Sequence, residues 1–160
     1  MSTPCDAAAD PQRRGYIAGQ ALDPDFCDAL MRRIHAIPAI EAMGFEVYGF
    51  ESGYCETRMP RRLELDGAYA SMHGGLLAAA ADTAACFAIM TLSGPNQVLT
   101  TTDLSIRFLA PCLSDVRAQA RVIRFGRTLC PVSVDLLDDA DRLVAVAQVT
   151  YMRLDRMPSR

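Results

Sequence analysis

The chain has 160 residues, 51% of them hydrophobic and 22% charged, the composition of one globular domain with one core rather than of a disordered or fibrous protein. A net charge of −3 supplies no global positive field, so neither a nucleic acid nor an anionic membrane is an expected partner. Six cysteines without a CxxC pair, and an N-terminus without an apolar signal core, imply reduced thiols in the cytoplasm, and two histidines with scattered thiols leave no expected metal site.

Residues 1–22 combine Pro4, Pro11, Gly15 and Gly19 with scattered charges and read as a flexible tail. A short helix follows. Asp23 can cap it, Pro24 takes a permitted first position, and Phe26, Leu30 and Ile34 recur at helical spacing until Pro38 stops it. Two alternating runs, 45–51 and 54–60, flank Ser52-Gly53 and predict a hairpin.

Residues 74–92 are apolar apart from Asp82 and small polar groups, and rich in alanine. The length approaches that of a membrane span, but the alanines and the central carboxylate predict a buried helix of a soluble protein. After Ser93-Gly94-Pro95 the period changes to two. Leu104, Ile106 and Phe108 alternate with polar residues in 102–110, as do Val116, Ala118, Ala120 and Val122, then Cys130, Val132, Val134 and Leu136, and a last run spans 143–154. Four consecutive strands with short connections predict an antiparallel meander. The fold class is therefore α+β: a curved antiparallel sheet of about six strands around one long helix, with a short N-terminal helix. One domain covers 23–155, followed by a C-terminal tail, 156–160. Exposed sheet edges favour pairing with a second copy.

Two features of the long helix carry chemistry. At its start, His73-Gly74-Gly75 presents backbone N–H groups that lack intrahelical partners, at the positive end of the helix dipole and without a β-carbon to hold a ligand away. The Gly75 amide could donate to an oxygen developing negative charge; the plainer reading is a strand-to-helix turn that His73 caps. Asp82 lies farther along, where an unpaired carboxylate would be costly to bury, so it has a partner, a task, or a place at a polar rim. At ~1.5 Å per residue, Gly75 and Asp82 are separated by roughly 10 Å along the axis. A site that uses both on one bond is simplest when two antiparallel helices of a dimer supply one each.

The segments Met72-His73-Gly74-Gly75, Asp82-Thr83-Ala84 and Thr101-Thr102-Asp103, the last running on to Ala110-Pro111, resemble the PaaI-like branch of the hotdog-fold acyl-CoA thioesterases over residues 38–152. The resemblance implies a hotdog fold and homodimers that often pair into tetramers. It also implies hydrolysis of a small or aromatic acyl-CoA to free acid and coenzyme A, with no metal or organic cofactor. By that likeness Asp82 activates water or attacks the carbonyl, the Gly75 amide polarises it, His73 orders the turn and Thr101 positions water. Substrate contacts would come from Gly74, from Leu109, Ala110 and Pro111, and from Gly126, Arg127 and Thr128. Many relatives carry an Asn six residues before the His; Gly67 stands there, preceded by Asp66. Either Asp66 lies away from the oxyanion or the backbone donor acts alone. A non-catalytic acyl-CoA or small-ligand binding protein is the alternative. Arg58, Arg61, Arg62, Arg124 and Arg127 are the candidates for coenzyme A phosphates, Arg127 foremost because of its turn. Phe45, Tyr48, Phe87 and Met90 are candidates for setting the depth of an acyl tunnel.

Overall fold

The structure is a computed structural model that describes residues 19–156. Residues 1–18 of the expected tail and residues 157–160 lie outside the described residues. The Gln20 carbonyl accepts a hydrogen bond from the Ser52 amide at 2.9 Å, and Leu22 packs against the core.

Helix α1, Pro24–His35, begins as its cap signals dictate: Asp23 Oδ1 accepts from the amides of Asp25 at 3.0 Å and Phe26 at 3.3 Å. It buries Cys27, Leu30 and Ile34. Pro38 ends this segment as expected but also opens a second short helix, α2, Pro38–Met43. Proline has the fixed φ of a first helical residue and lacks an N–H that would go unpaired there, so one residue serves both purposes. Gly44, at φ 70°, closes α2 and turns the chain into the sheet.

Strands β1, Glu46–Glu51, and β2, Tyr54–Met59, form the expected hairpin, with Gly53 at φ 76° in its turn. Helix α3, Gly74–Ser93, follows, and then β3, Val98–Phe108, β4, Val116–Val122, β5, Leu129–Leu137, and β6, Leu143–Leu154. The sheet runs β1-β2-β4-β5-β6-β3 and every pairing is antiparallel.

This order corrects the four-strand meander. Strands β4, β5 and β6 do form one, but β3 pairs with β6 at the far edge, and β2 takes the place beside β4. The connection from β3 to β4, 109–115, contains Pro111 and is too long for a tight hairpin, so it carries the chain across the end of the sheet. It is held there by the Leu109 amide on the Val144 carbonyl, 2.8 Å, and the Met72 amide on the Cys112 carbonyl, 2.9 Å. Strand β3 also begins four positions earlier than its alternation suggests. Thr101 opposes Tyr151 while Asp103 opposes Thr150, so Thr102 is an extra residue in a β-bulge, and regular alternation starts only beyond it.

Helix α3 packs against all six strands. Ala80, Ala81, Ala84, Ala85 and Ala88 are at most 1% exposed, and their small side chains let the sheet close around the helix. A larger residue at any of them would overpack this surface, typically costing about 1–3 kcal/mol. By length and apolarity α3 could cross a membrane, but here it forms the axis of the core. Phe87 and Ile89 of α3 are fully buried together with Phe50 of β1 and Leu136 of β5. Cys55, Cys86, Cys112 and Cys130 are free thiols.

Candidate functional site

The start of α3 is built by its own sequence. His73 holds an extended conformation, φ −61° and ψ 133°, and its Nδ1 accepts the Gly75 amide at 2.9 Å. His73 is thus the helix cap, and the amide expected to meet a ligand oxygen is already satisfied by an exposed imidazole. A carbonyl oxygen that reaches Gly75 must displace Nδ1, an exchange of one acceptor for another at the positive helix end. Neither glycine tolerates a β-carbon well: one at Gly75 would lie 3.0 Å from Nδ1, and one at Gly74 would lie 3.1 Å from Phe108 Cζ.

Gly74 shares a cavity of about 370 Å³ with Leu109, Ala110 and Pro111, walled by Leu77 and Phe108. Four predicted substrate contacts thus converge at the helix start. The other three form a separate group: Gly126, Arg127 and Thr128 line a cavity of about 430 Å³ at the β4–β5 turn, together with Arg124. A β-carbon on Gly126 would come within 2.2 Å of the Leu129 carbonyl oxygen, so this turn admits only glycine. Arg153 fixes it by donating to the Gly126 carbonyl at 3.1 Å while stacking 4.4 Å from the Phe125 ring.

Asp82 is half-buried on the side of α3 that faces β3 and β6. Its Oδ1 accepts from Thr101 Oγ at 2.9 Å and from the Tyr151 hydroxyl at 2.8 Å; that hydroxyl also lies 3.0 Å from the Asp82 carbonyl oxygen. Among the described residues Oδ2 has no hydrogen-bonding partner. Thr101 and Tyr151 meet here because they are directly opposed across the β3–β6 ladder. Burial, reinforced by the charges of Cys86 and Asp82, holds the Tyr151 phenol well above its ordinary range, so it acts as a donor. One turn along α3, burial first and Asp82 second push the Cys86 thiol up to about 12, which leaves it protonated and unreactive.

Tyr151 is the residue that pattern reading missed. It appears in the sequence only as one more inward residue of an alternating strand. A useful signal was there, because a buried tyrosine hydroxyl requires a partner. Tyr151→Phe keeps the ring and removes one of the two donors to Asp82. The expected result is a fall in kcat of about tenfold with KM little changed, the size of losing one hydrogen bond to a charged group, and it is checked by steady-state kinetics.

Asp66 does not face the helix start as a free charge. Arg61 grips both its oxygens, through Nε at 2.9 Å and through Nη2, and this hydrogen-bonded pairing lowers the Asp66 carboxyl below its usual range. Gly67 sits beside His73: a β-carbon there would meet His73 Cα and Cδ2 at 3.7 and 3.8 Å, ordinary contacts. Among the arginines, Arg58 is held by Asp115 and Glu46, Arg61 by Asp66, and Arg62 by the Ala42 carbonyl. Arg124 and Arg127 make no ion pair among the described residues and flank the β4–β5 cavity. Among those residues no three His, Cys, Asp or Glu side chains form a metal-binding group.

A helix wrapped by a curved antiparallel sheet, with a histidine-capped glycine start and a carboxylate two turns on, defines a hotdog domain. The family model of the thioesterase superfamily matches residues 69–151, and the chain belongs to that superfamily. Among solved structures it is similar to conserved protein PA5202 from Pseudomonas aeruginosa, with 26% identity, TM-score 0.72 and coverage of 77% of this chain and 98% of that one. The PaaI protein from the phenylacetic acid degradation operon of E. coli superposes with TM-score 0.75 at 18% identity, covering 84% of this chain and 96% of that one. Thioesterase HI1161 from Haemophilus influenzae superposes with TM-score 0.72 at 21% identity, covering 81% and 92%. No curated protein sequence matches. The resemblance read from the sequence therefore stands for the thioesterase superfamily and for the hotdog fold.

Proposed function

We propose that the protein hydrolyses acyl-CoA thioesters of small or aromatic acyl groups to the free acid and coenzyme A, at sites shared between the two chains of a dimer. The observation that carries this reading is the Asp82 carboxylate, with Oδ1 fixed by Thr101 and Tyr151 and Oδ2 left open. In the reaction, Oδ2 takes a proton from water as the water oxygen adds to the thioester carbonyl carbon. The carbonyl oxygen becomes an oxyanion and replaces His73 Nδ1 on the Gly75 amide of the other chain. Collapse breaks the carbon–sulfur bond, and the departing thiolate takes the proton back from Asp82. The same carboxylate could instead attack the carbonyl directly, since it meets the same group from the same side.

Leu109, Ala110 and Pro111 would border the thioester at the helix start. Arg124 and Arg127, which have no ion-pair partner among the described residues, would with Gly126 and Thr128 offer guanidinium groups and a rigid turn to coenzyme A phosphates. The β3 edge supports the dimer: it has no neighbouring strand on its outer side among the described residues, and its Leu104, Ile106 and Phe108 are only half-buried or exposed. A dimer of dimers would bury more of this surface.

The test is a panel of short, medium, long and aromatic acyl-CoA thioesters assayed for release of free thiol. Turnover of at least one short or aromatic member is expected; no turnover on any of them would overturn the reading. One observation favours a binding protein instead: the Gly75 amide is occupied and Gly67 brings no side-chain amide to support it. Tight acyl-CoA binding with the thioester intact after hours would select that alternative.

A further inference from the structure

A third cavity, of about 300 Å³, lies between α1, α3 and the beginning of β3. Cys86, one turn beyond Asp82, lines it, and the Cys86 thiol is close enough to Tyr151 and Asp82 to feel both. Met90 lines it a further turn along, so the cavity follows α3 for about 6 to 12 Å past the carboxylate. Leu99 also lines it, two residues before Thr101 and therefore on the same face of β3. An acyl group whose carbonyl sits at Asp82 would extend into this space, which is roughly twice the ~150 Å³ that accommodates benzene in an engineered cavity.

The far wall is polar. Arg33, in the last turn of α1, is the one fully charged side chain on the lining; it is exposed and makes no ion pair or hydrogen bond among the described residues, and Asn96 and Gln97 also line the cavity. Ile37, Met90 and Leu99 supply apolar walls between the carboxylate and the guanidinium.

We infer that this cavity selects acyl groups that end in a carboxylate: an apolar chain or ring against Ile37, Met90 and Leu99, with its terminal anion held by Arg33. The inference rests on the thioesterase reading for the position of the carbonyl. A guanidinium without an ion-pair partner among the described residues offers a bidentate hydrogen-bonding fork to that anion, whereas an uncharged methyl end gains no such contact.

The experiment measures, by titration calorimetry, binding of two non-hydrolysable thioether analogues of acyl-CoA with the same chain length, one ending in methyl and one in carboxylate. Turnover of the matching thioesters is measured alongside. The carboxylate analogue is expected to bind about tenfold tighter, the scale of a charge-assisted hydrogen bond. Arg33→Gln should bring the pair within about twofold, and Arg33→Glu should reverse the order. Arg32→Gln, one residue away and outside the cavity, should keep the preference. Equal affinities in the unaltered protein, or a preference that survives Arg33→Gln, overturn the inference. Cleavage of neither thioester with the binding preference intact overturns the hydrolase reading instead and leaves the anion site standing. No binding of either analogue removes both.

Discussion

Asp82→Asn is expected to lower kcat on the best thioester by at least about a hundredfold, the scale of losing a positioned base or nucleophile and equivalent to about 2.7 kcal/mol of transition-state stabilisation. The substitution isolates charge from shape. Asparagine keeps a carbonyl oxygen where Oδ1 stands, so Thr101 Oγ and the Tyr151 hydroxyl retain an acceptor at 2.9 and 2.8 Å. What disappears is the proton acceptor at Oδ2, which has no other task in the fold. The thermal unfolding midpoint should therefore change little while the rate collapses, and KM should stay within a few-fold because the acyl and coenzyme A contacts lie elsewhere. Steady-state kinetics and thermal unfolding on the same preparation check the two halves together. An unchanged kcat would remove Asp82 from the chemistry and reduce its hydrogen bonds to a structural anchor.

The contrast between Asp82 and Tyr151 shows what a single sequence reveals. Asp82 is visible because a carboxylate inside an apolar, alanine-rich helix breaks a pattern, and its neighbours along the helix are set by the 3.6-residue period. Tyr151 breaks no pattern. It joins the site through the pairing of β3 with β6, and that pairing is non-local: the strands are separated by the meander of β4 and β5, and the order of a sheet is decided by tertiary packing rather than by alternation. The same cause misplaced β3 in the predicted meander. The limits of α3, β4 and β6, by contrast, are legible because proline, glycine and the change of period mark their ends. Helix α2 was hidden by the double meaning of Pro38, which stops a preceding helix and starts the next with the same ring. His73 carried a third kind of ambiguity. The capping reading is the one the geometry displays: His73 caps the helix, and by doing so it occupies the donor that the proposed chemistry would use.

Mixing two inactive chains is expected to restore about a quarter of the activity of the unaltered protein, the fraction that random assembly of a symmetric dimer allows. One chain carries Asp82→Asn. The other carries Gly75→Pro, which removes the donating N–H itself in the first helical turn, where no intrahelical hydrogen bond is lost; the exposed His73 ring, left without that N–H to accept from, is free to move away from the new β-carbon. Each homodimer lacks one component at both sites. In the mixed dimer, the intact Gly75 of the first chain meets the intact Asp82 of the second, and the remaining site carries both lesions. The case for sharing is geometric. Seven residues of helix separate the two Cα atoms by roughly 10 Å, and Thr101 and Tyr151 draw the carboxylate sideways toward β3 and β6 instead of back toward the helix start. One thioester carbonyl cannot touch both groups within a chain, whereas an antiparallel second copy of α3 would bring the partner's glycine alongside. Co-refolded mixtures assayed for thiol release, with heterodimers counted by native mass spectrometry, decide the matter. Heterodimers that form in quantity yet remain inactive would confine each site to one chain, and the carbonyl would then need an oxyanion donor other than Gly75.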